Sequence, residues 1–276
     1  PYYPPRSNGE SNRIALLGDS YVEGFQVFDR HHFRRVMEKE LAHRSDKTVE
    51  VLNFGRSGFD LEDMVTYYHT YVNKYLPDVT LLLLFEEDFH PAVSDPLVPR
   101  LEFENGRPGV TFSASESYRE QYLKYKDVPY YSAYFNMALN CWKQHRRGLT
   151  GSKLLGKFYG MSNNVKKGTR TKGSRPSPGM VSEYDLEKTQ QLLTYLNDIT
   201  SLVIVKCDSA RLPEELEVIL RDNSIKIIDL NAKIRQLEER GFDPNYWEVT
   251  NQTGHWNHAA HAAIGRHLAE ELEDLF

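Results

Sequence analysis

The chain has 276 residues, 40% hydrophobic and 26% charged, an ordinary globular composition with room for one large domain or two small ones. Its formal net charge of −5 argues against general nucleic-acid binding, and no run of about 18 apolar residues offers a membrane-spanning helix. The two cysteines, Cys141 and Cys207, lie far apart with no C-x-x-C pair, which disfavours a zinc ribbon or thioredoxin-type site and favours two buried thiols over a disulfide.

In chain order, residues 1–12 read as an extended, Pro- and Asn-containing lead-in, and RIALLG (13–18) as a short buried strand that stops at Gly18-Asp19-Ser20. Residues 29–44 have helical character, and VEVLNFG (49–55) is a second strand. The apolar and aromatic positions of DLEDMVTYYHTYVNKYL (60–76) recur at three- and four-residue steps, which predicts a helix that Pro77-Asp78 breaks. VTLLLLF (79–85) is a third strand, apolar nearly throughout, as a strand covered on both faces should be.

Strand alternating with helix predicts a parallel sheet with right-handed crossovers, hence an α/β fold. The alternation resumes with a helix at 184–199, strands at 201–206 and 225–230, and a closing helix at 258–275. Residues 91–182 interrupt it: 91–147 read as an inserted, partly helical cap, and 160–179 as a flexible loop. No Asp or Glu occurs over residues 128–182, which carry ten Lys and Arg, among them Lys153, Lys157, Lys166, Lys167, Arg170, Lys172 and Arg175. The rest of the chain holds 24 basic and 39 acidic residues, so a basic insertion sits in an acidic body.

Open parallel sheets bind ligands beyond the carboxyl ends of their strands. Those ends carry Gly18-Asp19-Ser20, then Asn53-Phe54-Gly55-Arg56-Ser57-Gly58, then Glu86-Glu87-Asp88. Three polar clusters are thereby predicted to converge on one edge, with the Ser20 hydroxyl among them.

These residues resemble the SGNH (GDSL-type) hydrolase family. Gly18-Asp19-Ser20 after a strand matches its first block, and Asn53 through Gly58 matches the Asn-x-x-x-x-Gly of its second. GHWNHAAH (254–261) matches its last, with a His ahead of the final helix. The resemblance spans nearly the whole chain and implies a three-layer α/β/α sandwich of flavodoxin-like type, with 91–182 inserted. It implies acyl-ester chemistry without a cofactor: Ser20 as nucleophile, His255 as its base, and the Ser20 and Gly58 backbone N–H groups as oxyanion donors. A serine hydroxyl needs such a base at neutral pH, and the tetrahedral oxyanion needs preorganised donors.

Two positions depart from the pattern. Glu87 stands where the third block, Gly-x-Asn-Asp, places an oxyanion-donating Asn, and an ionised carboxylate cannot donate. Three explanations compete: a protonated Glu87 among crowded carboxyls, a substitute donor elsewhere, or a weakened site. Gln252 and Thr253 stand where an orienting Asp is expected, which leaves a Ser20–His255 dyad or an acid such as Asp243 or Glu248.

The implied substrate is a small acyl ester, an acetate on a carbohydrate by family habit, with the Tyr-rich stretch 122–135 read either as a cleft lining or as a packed cap. An O-acyltransferase and a non-catalytic binding domain are the alternatives. Asp19 with Glu86, Glu87 and Asp88 could instead hold a hard divalent cation. His255, His258 and His261 do not converge on a zinc ion at helical spacings of three. The basic loop 153–175 reads as a solvated segment or as a contact for anionic polymers or headgroups. Many relatives work in bacterial envelopes, so a periplasmic or extracellular location, behind an anchor trimmed ahead of Pro1, is expected over a cytoplasmic one.

Overall fold

In the computed structural model of the chain, the described residues are 3–4, 6, 11–45, 48–89, 99–112, 115–117, 120, 183–209 and 212–276. The chain divides into two units, Pro1–Thr111 with Val181–Phe276, and Phe112–Met180. The Tyr-rich stretch 122–135, the basic loop 153–175, the flexible loop read at 160–179 and Cys141 lie outside the described residues.

The first unit is built on a five-stranded sheet. β1 (Ser11–Leu17) runs into the single-turn helix α1 (Ser20–Glu23), then α2 (Phe33–Arg44) leads to β2 (Thr48–Asn53). α3 (Leu61–Tyr67) precedes β3 (Val79–Leu84), which is buried at all six residues. β4 (Arg100–Glu104) and β5 (Arg107–Thr111) form a hairpin. After it come α4 (Glu183–Ile199), β6 (Ser201–Lys206), α5 (Glu214–Asp222), β7 (Lys226–Asp229) and α6 (Leu230–Glu239). A two-residue ribbon, β8 (Tyr246–Trp247) with β9 (Gln252–Thr253), leads into α7 (His258–Leu272).

The sheet order is β2-β1-β3-β6-β7, and every pairing is parallel. Counted along the sheet's own strands this is 2-1-3-4-5, the flavodoxin-like order, whose strand connections switch direction between β1 and β3. Side chains alternate across the sheet because successive residues of a strand point to opposite faces. Ile14 and Leu16 join one core with Phe33, Met37 and Leu41 of α2, and with Ile264 and Leu268 of α7. Ala15 and Leu17 join the other, with Met64 and Val65 of α3 and Leu192, Leu193 and Leu196 of α4. Two covered faces make the three-layer α/β/α sandwich, and they explain why β3 is apolar throughout except for Thr80, whose hydroxyl pairs with that of Thr200 at 3.0 Å.

Two elements differ from the sequence reading. The helix expected over 60–76 is α-helical only to Tyr67. It continues as a wider π-type turn (Tyr68–Val72) and a 3-10 turn (Asn73–Tyr75). The Thr70 hydroxyl bonds back to the Thr66 carbonyl at 2.8 Å, competing with the helical ladder there. Inside the stretch read as a partly helical cap, residues 100–111 form the β4–β5 hairpin, which belongs to the first unit. Asn105 and Gly106 turn it with φ of 51° and 75°, and an Asn-Gly pair favours such a turn. α5 and α6 are two further helices that the sequence reading did not place.

One charged side chain anchors the start of the sheet. Arg13 of β1 is 2% exposed, and it donates to the Glu50 carboxylate at 2.7 Å, the Tyr75 carbonyl at 3.0 Å and the Pro4 carbonyl at 3.2 Å. Removing it strands those acceptors. Arg13→Met is expected to lower unfolding free energy by about 2–4 kcal/mol in a denaturant titration.

Candidate active site

The site is built where β1 stops. Asp19 caps α1, its Oδ1 accepting the Tyr21 N–H at 2.9 Å, and so turns the chain sharply off the strand. Ser20 is the first residue of this turn, so its N–H is one that no helical carbonyl satisfies. The β2 loop packs directly against α1. A Cβ on Gly55 would stand 2.4 Å from the Glu23 nitrogen and 2.6 Å from the Val22 carbonyl carbon, so only glycine permits this approach. Asn53 stitches the two together: its Nδ2 donates to the Val22 carbonyl at 2.8 Å, and its Oδ1 accepts the Gly55 N–H at 2.9 Å. The Arg56 N–H then donates to the Gly18 carbonyl at 3.0 Å.

His255 arrives from the far end of the chain. Asn257 organises its loop, capping α7 through the Ala260 N–H at 3.0 Å while its Nδ2 donates to the carbonyls of Asp243 at 2.8 Å and Tyr246 at 2.9 Å. The Trp247 indole donates to the His255 carbonyl at 2.9 Å. The imidazole packs on the Tyr21 ring, centroids 4.4 Å apart, and Tyr21 is itself wedged between Phe85 and Trp256 at 4.8 and 4.9 Å. The result places Ser20 Oγ 2.7 Å from His255 Nε2. In the tautomer with its proton on Nδ1, the imidazole accepts from the hydroxyl and can take its proton. Ser20 Oγ also lies 3.4 Å from Asp19 Oδ2, a weak second contact.

The other predicted residues fall as follows. Gly58 is exposed with φ of 82°, a conformation that favours glycine, and its N–H donates to no group among the described residues. Glu87 is exposed on the short turn after β3 and lies close enough to raise the pKa values of Asp19 and Tyr21. Asp243 spends its carboxylate on the Asn245 N–H at 2.8 Å, and Glu248 is exposed. Neither bonds to His255, and no described residue accepts from its Nδ1. His258 packs beside His31 and Trp247, while buried His261 accepts the Phe33 N–H at 3.1 Å, and burial drops its pKa to about 3. Among the described residues no three His, Cys, Asp or Glu side chains are grouped to hold a metal ion.

Of the crowded carboxyls it is Asp88 that burial pushes furthest, up to about 8, helped by the charges of Asp19, Glu87 and Asp60. Its Oδ2 accepts the Phe85 N–H at 2.9 Å, which closes the turn after β3. Burial also raises Asp19, an effect that the Tyr21 N–H, the Ser20 hydroxyl and His255 oppose. Several contributors carry no sequence signal of their own. Tyr21 and Trp247 are ordinary aromatics until the fold sets them around His255. Glu23 is one acid among many until the β2 loop closes onto it.

No family model and no curated protein sequence matches the chain. Among solved structures it is similar to the acetylxylan esterase Axe2 from Geobacillus stearothermophilus, at 10% identity and TM-score 0.47, covering 96% of this chain and 95% of that one. It is similar to the lipase/acylhydrolase from Enterococcus faecalis, at 12% identity and TM-score 0.47, covering 96% of each chain. A third is a protein described as lipolytic and of the G-D-S-L family from Desulfitobacterium hafniense, at 9% identity and TM-score 0.44, covering 94% of this chain and 98% of that one.

Asp88 makes a pH dependence. Its carboxyl keeps a proton in the folded state up to about pH 8, whereas the unfolded chain releases it near the ordinary value of about 3.9. Stability from this group is therefore full below about pH 4 and falls as pH rises toward 8, by at most about 1.4 kcal/mol per pH unit. Asp88→Asn is expected to melt higher than wild type at pH 7–8, with the difference vanishing near pH 4 in thermal melts across that range.

Proposed function

We propose that the chain is a serine-dependent ester hydrolase of the SGNH type. The observation that carries the reading is the 2.7 Å contact between Ser20 Oγ and His255 Nε2 at the carboxyl edge of a parallel sheet. The substrate we propose is a small acyl ester, with an O-acetyl group on a carbohydrate as the form the sequence resemblance favours.

In this reading Ser20 Oγ attacks the ester carbonyl carbon as its proton passes to His255 Nε2. The carbonyl electrons move onto the oxygen, and the N–H groups of Ser20 and Gly58 meet the developing charge. Collapse breaks the bond to the alcohol, which takes the proton back from His255 and leaves an acyl-serine. Water then repeats the sequence from the other side and frees the acid. An acceptor hydroxyl in place of that water would make the same site an O-acyltransferase.

Two features bear on rate. Tyr21 packing and the Trp247 bond to the His255 carbonyl hold the imidazole, in place of a carboxylate on Nδ1. Glu87 supplies no donor while ionised, and a missing oxyanion donor typically costs about 100- to 1000-fold. A slow enzyme is the expectation.

Hydrolysis of aryl acetates tests this. Wild type is expected to turn over with Ser20→Ala and His255→Ala each reduced at least about 1000-fold. Equal rates for wild type and Ser20→Ala would overturn the reading and favour a non-catalytic binding domain.

A further inference from the structure

The second loop carries the proposed oxyanion glycine at its exposed tip, and the way that tip is held singles out one residue. Gly58 has nothing within 4 Å of where a Cβ would stand, so packing does not fix it. Asn53, Gly55 and the Arg56 N–H fasten the root of the loop to α1. Beyond Arg56 the side-chain bond to the tip comes from Glu23, the last residue of the same α1 that begins with Ser20. Its Oε2 accepts the Ser57 N–H at 3.0 Å and the Ser57 hydroxyl as well. The peptide that follows Ser57 is the one whose N–H belongs to Gly58.

We infer that Glu23 is a positioning residue that aims the Gly58 N–H at the oxyanion by clamping Ser57. This rests on the proposed ester chemistry at Ser20. Glu23 touches no reacting atom in this account. Its carboxylate uses the Ser57 N–H and hydroxyl, and so leaves the next N–H along the chain to face the site. The Phe59 N–H closes the turn across Gly58 by donating to the Arg56 carbonyl at 3.2 Å, so Glu23 sets where this turn sits, and a displacement of about 1 Å in such a group costs on the order of 100-fold. The clamp also couples donor and nucleophile, because both ends of one helical turn then hold parts of the same oxyanion site.

The experiment uses the full chain with p-nitrophenyl acetate, measuring kcat, KM and the rate of phosphonylation of Ser20, with folding followed by circular dichroism. Glu23→Ala is expected to lower kcat about 10- to 100-fold with KM within about twofold, and to slow phosphonylation in proportion. Glu23→Gln retains a carbonyl acceptor for the Ser57 N–H and is expected to stay within about threefold of wild type. Ser57→Ala, an exposed change that removes only the hydroxyl half, is expected to fall in between. A folded Glu23→Ala with wild-type kcat would overturn the inference. So would a loss confined to KM, or one that Glu23→Gln fails to rescue. Should Glu23→Ala fail to fold, Ser57→Ala decides, with wild-type kcat as the overturning result. Failure of the ester reading itself is seen separately, in a wild type without Ser20-dependent turnover.

Discussion

A hydrogen bond between Ser20 and His255 joins residues 235 positions apart, and the architecture is arranged around making it. A contact that remote needs rigid elements at both ends. The Ser20 end is fixed by β1, an interior strand of the sheet, by the Asp19 cap, and by a β2 loop pressed against α1 at Gly55. The His255 end is fixed by Asn257, which caps α7 and spans its own loop, and by the indole of Trp247. Between them the ring of Tyr21, itself the neighbour of Ser20, carries the imidazole. The turn that begins with Ser20, the proposed nucleophile, therefore supports both the proposed base and, through Glu23, the candidate oxyanion loop.

The electrostatics of this edge are acidic. Asp19, Glu87 and Asp88 stand near one another, and Asp88, the buried one, has its pKa pushed up chiefly by burial, with the neighbouring charges adding to it. A largely neutral Asp88 at pH 7 closes the turn after β3 without adding a full charge next to Asp19. Burial raises Asp19 as well, while the Tyr21 N–H, the Ser20 hydroxyl and His255 pull the other way.

The five core strands were legible because each is a short apolar run bounded by turn residues, and β3 announced its two covered faces by lacking alternation. The meeting of Ser20, Asn53 and the Glu86–Asp88 turn on one edge followed from reading the strands as parallel, since their carboxyl ends then share one edge. Other features were not legible, for identifiable physical reasons. The Asn105-Gly106 turn was readable locally but lay inside a stretch taken as a cap. The amphipathic pattern of 60–76 was right about burial, yet it is silent on a threonine hydroxyl that bonds back to the helical ladder. Asp243 looked like an orienting acid by proximity in sequence, but its carboxylate faces a backbone N–H of its own turn. Glu23 is recognisable only once Ser57 is seen across from it, since a contact between a helix end and a loop leaves no periodic trace.

The claim at the centre is that the fold activates the Ser20 hydroxyl through His255. Labelling with a fluorophosphonate, read by intact mass, tests it without any knowledge of substrate. The account predicts a single adduct on wild type, absent in Ser20→Ala and strongly slowed in His255→Ala. A folded wild type that takes no adduct, or one that Ser20→Ala takes equally well, would contradict it.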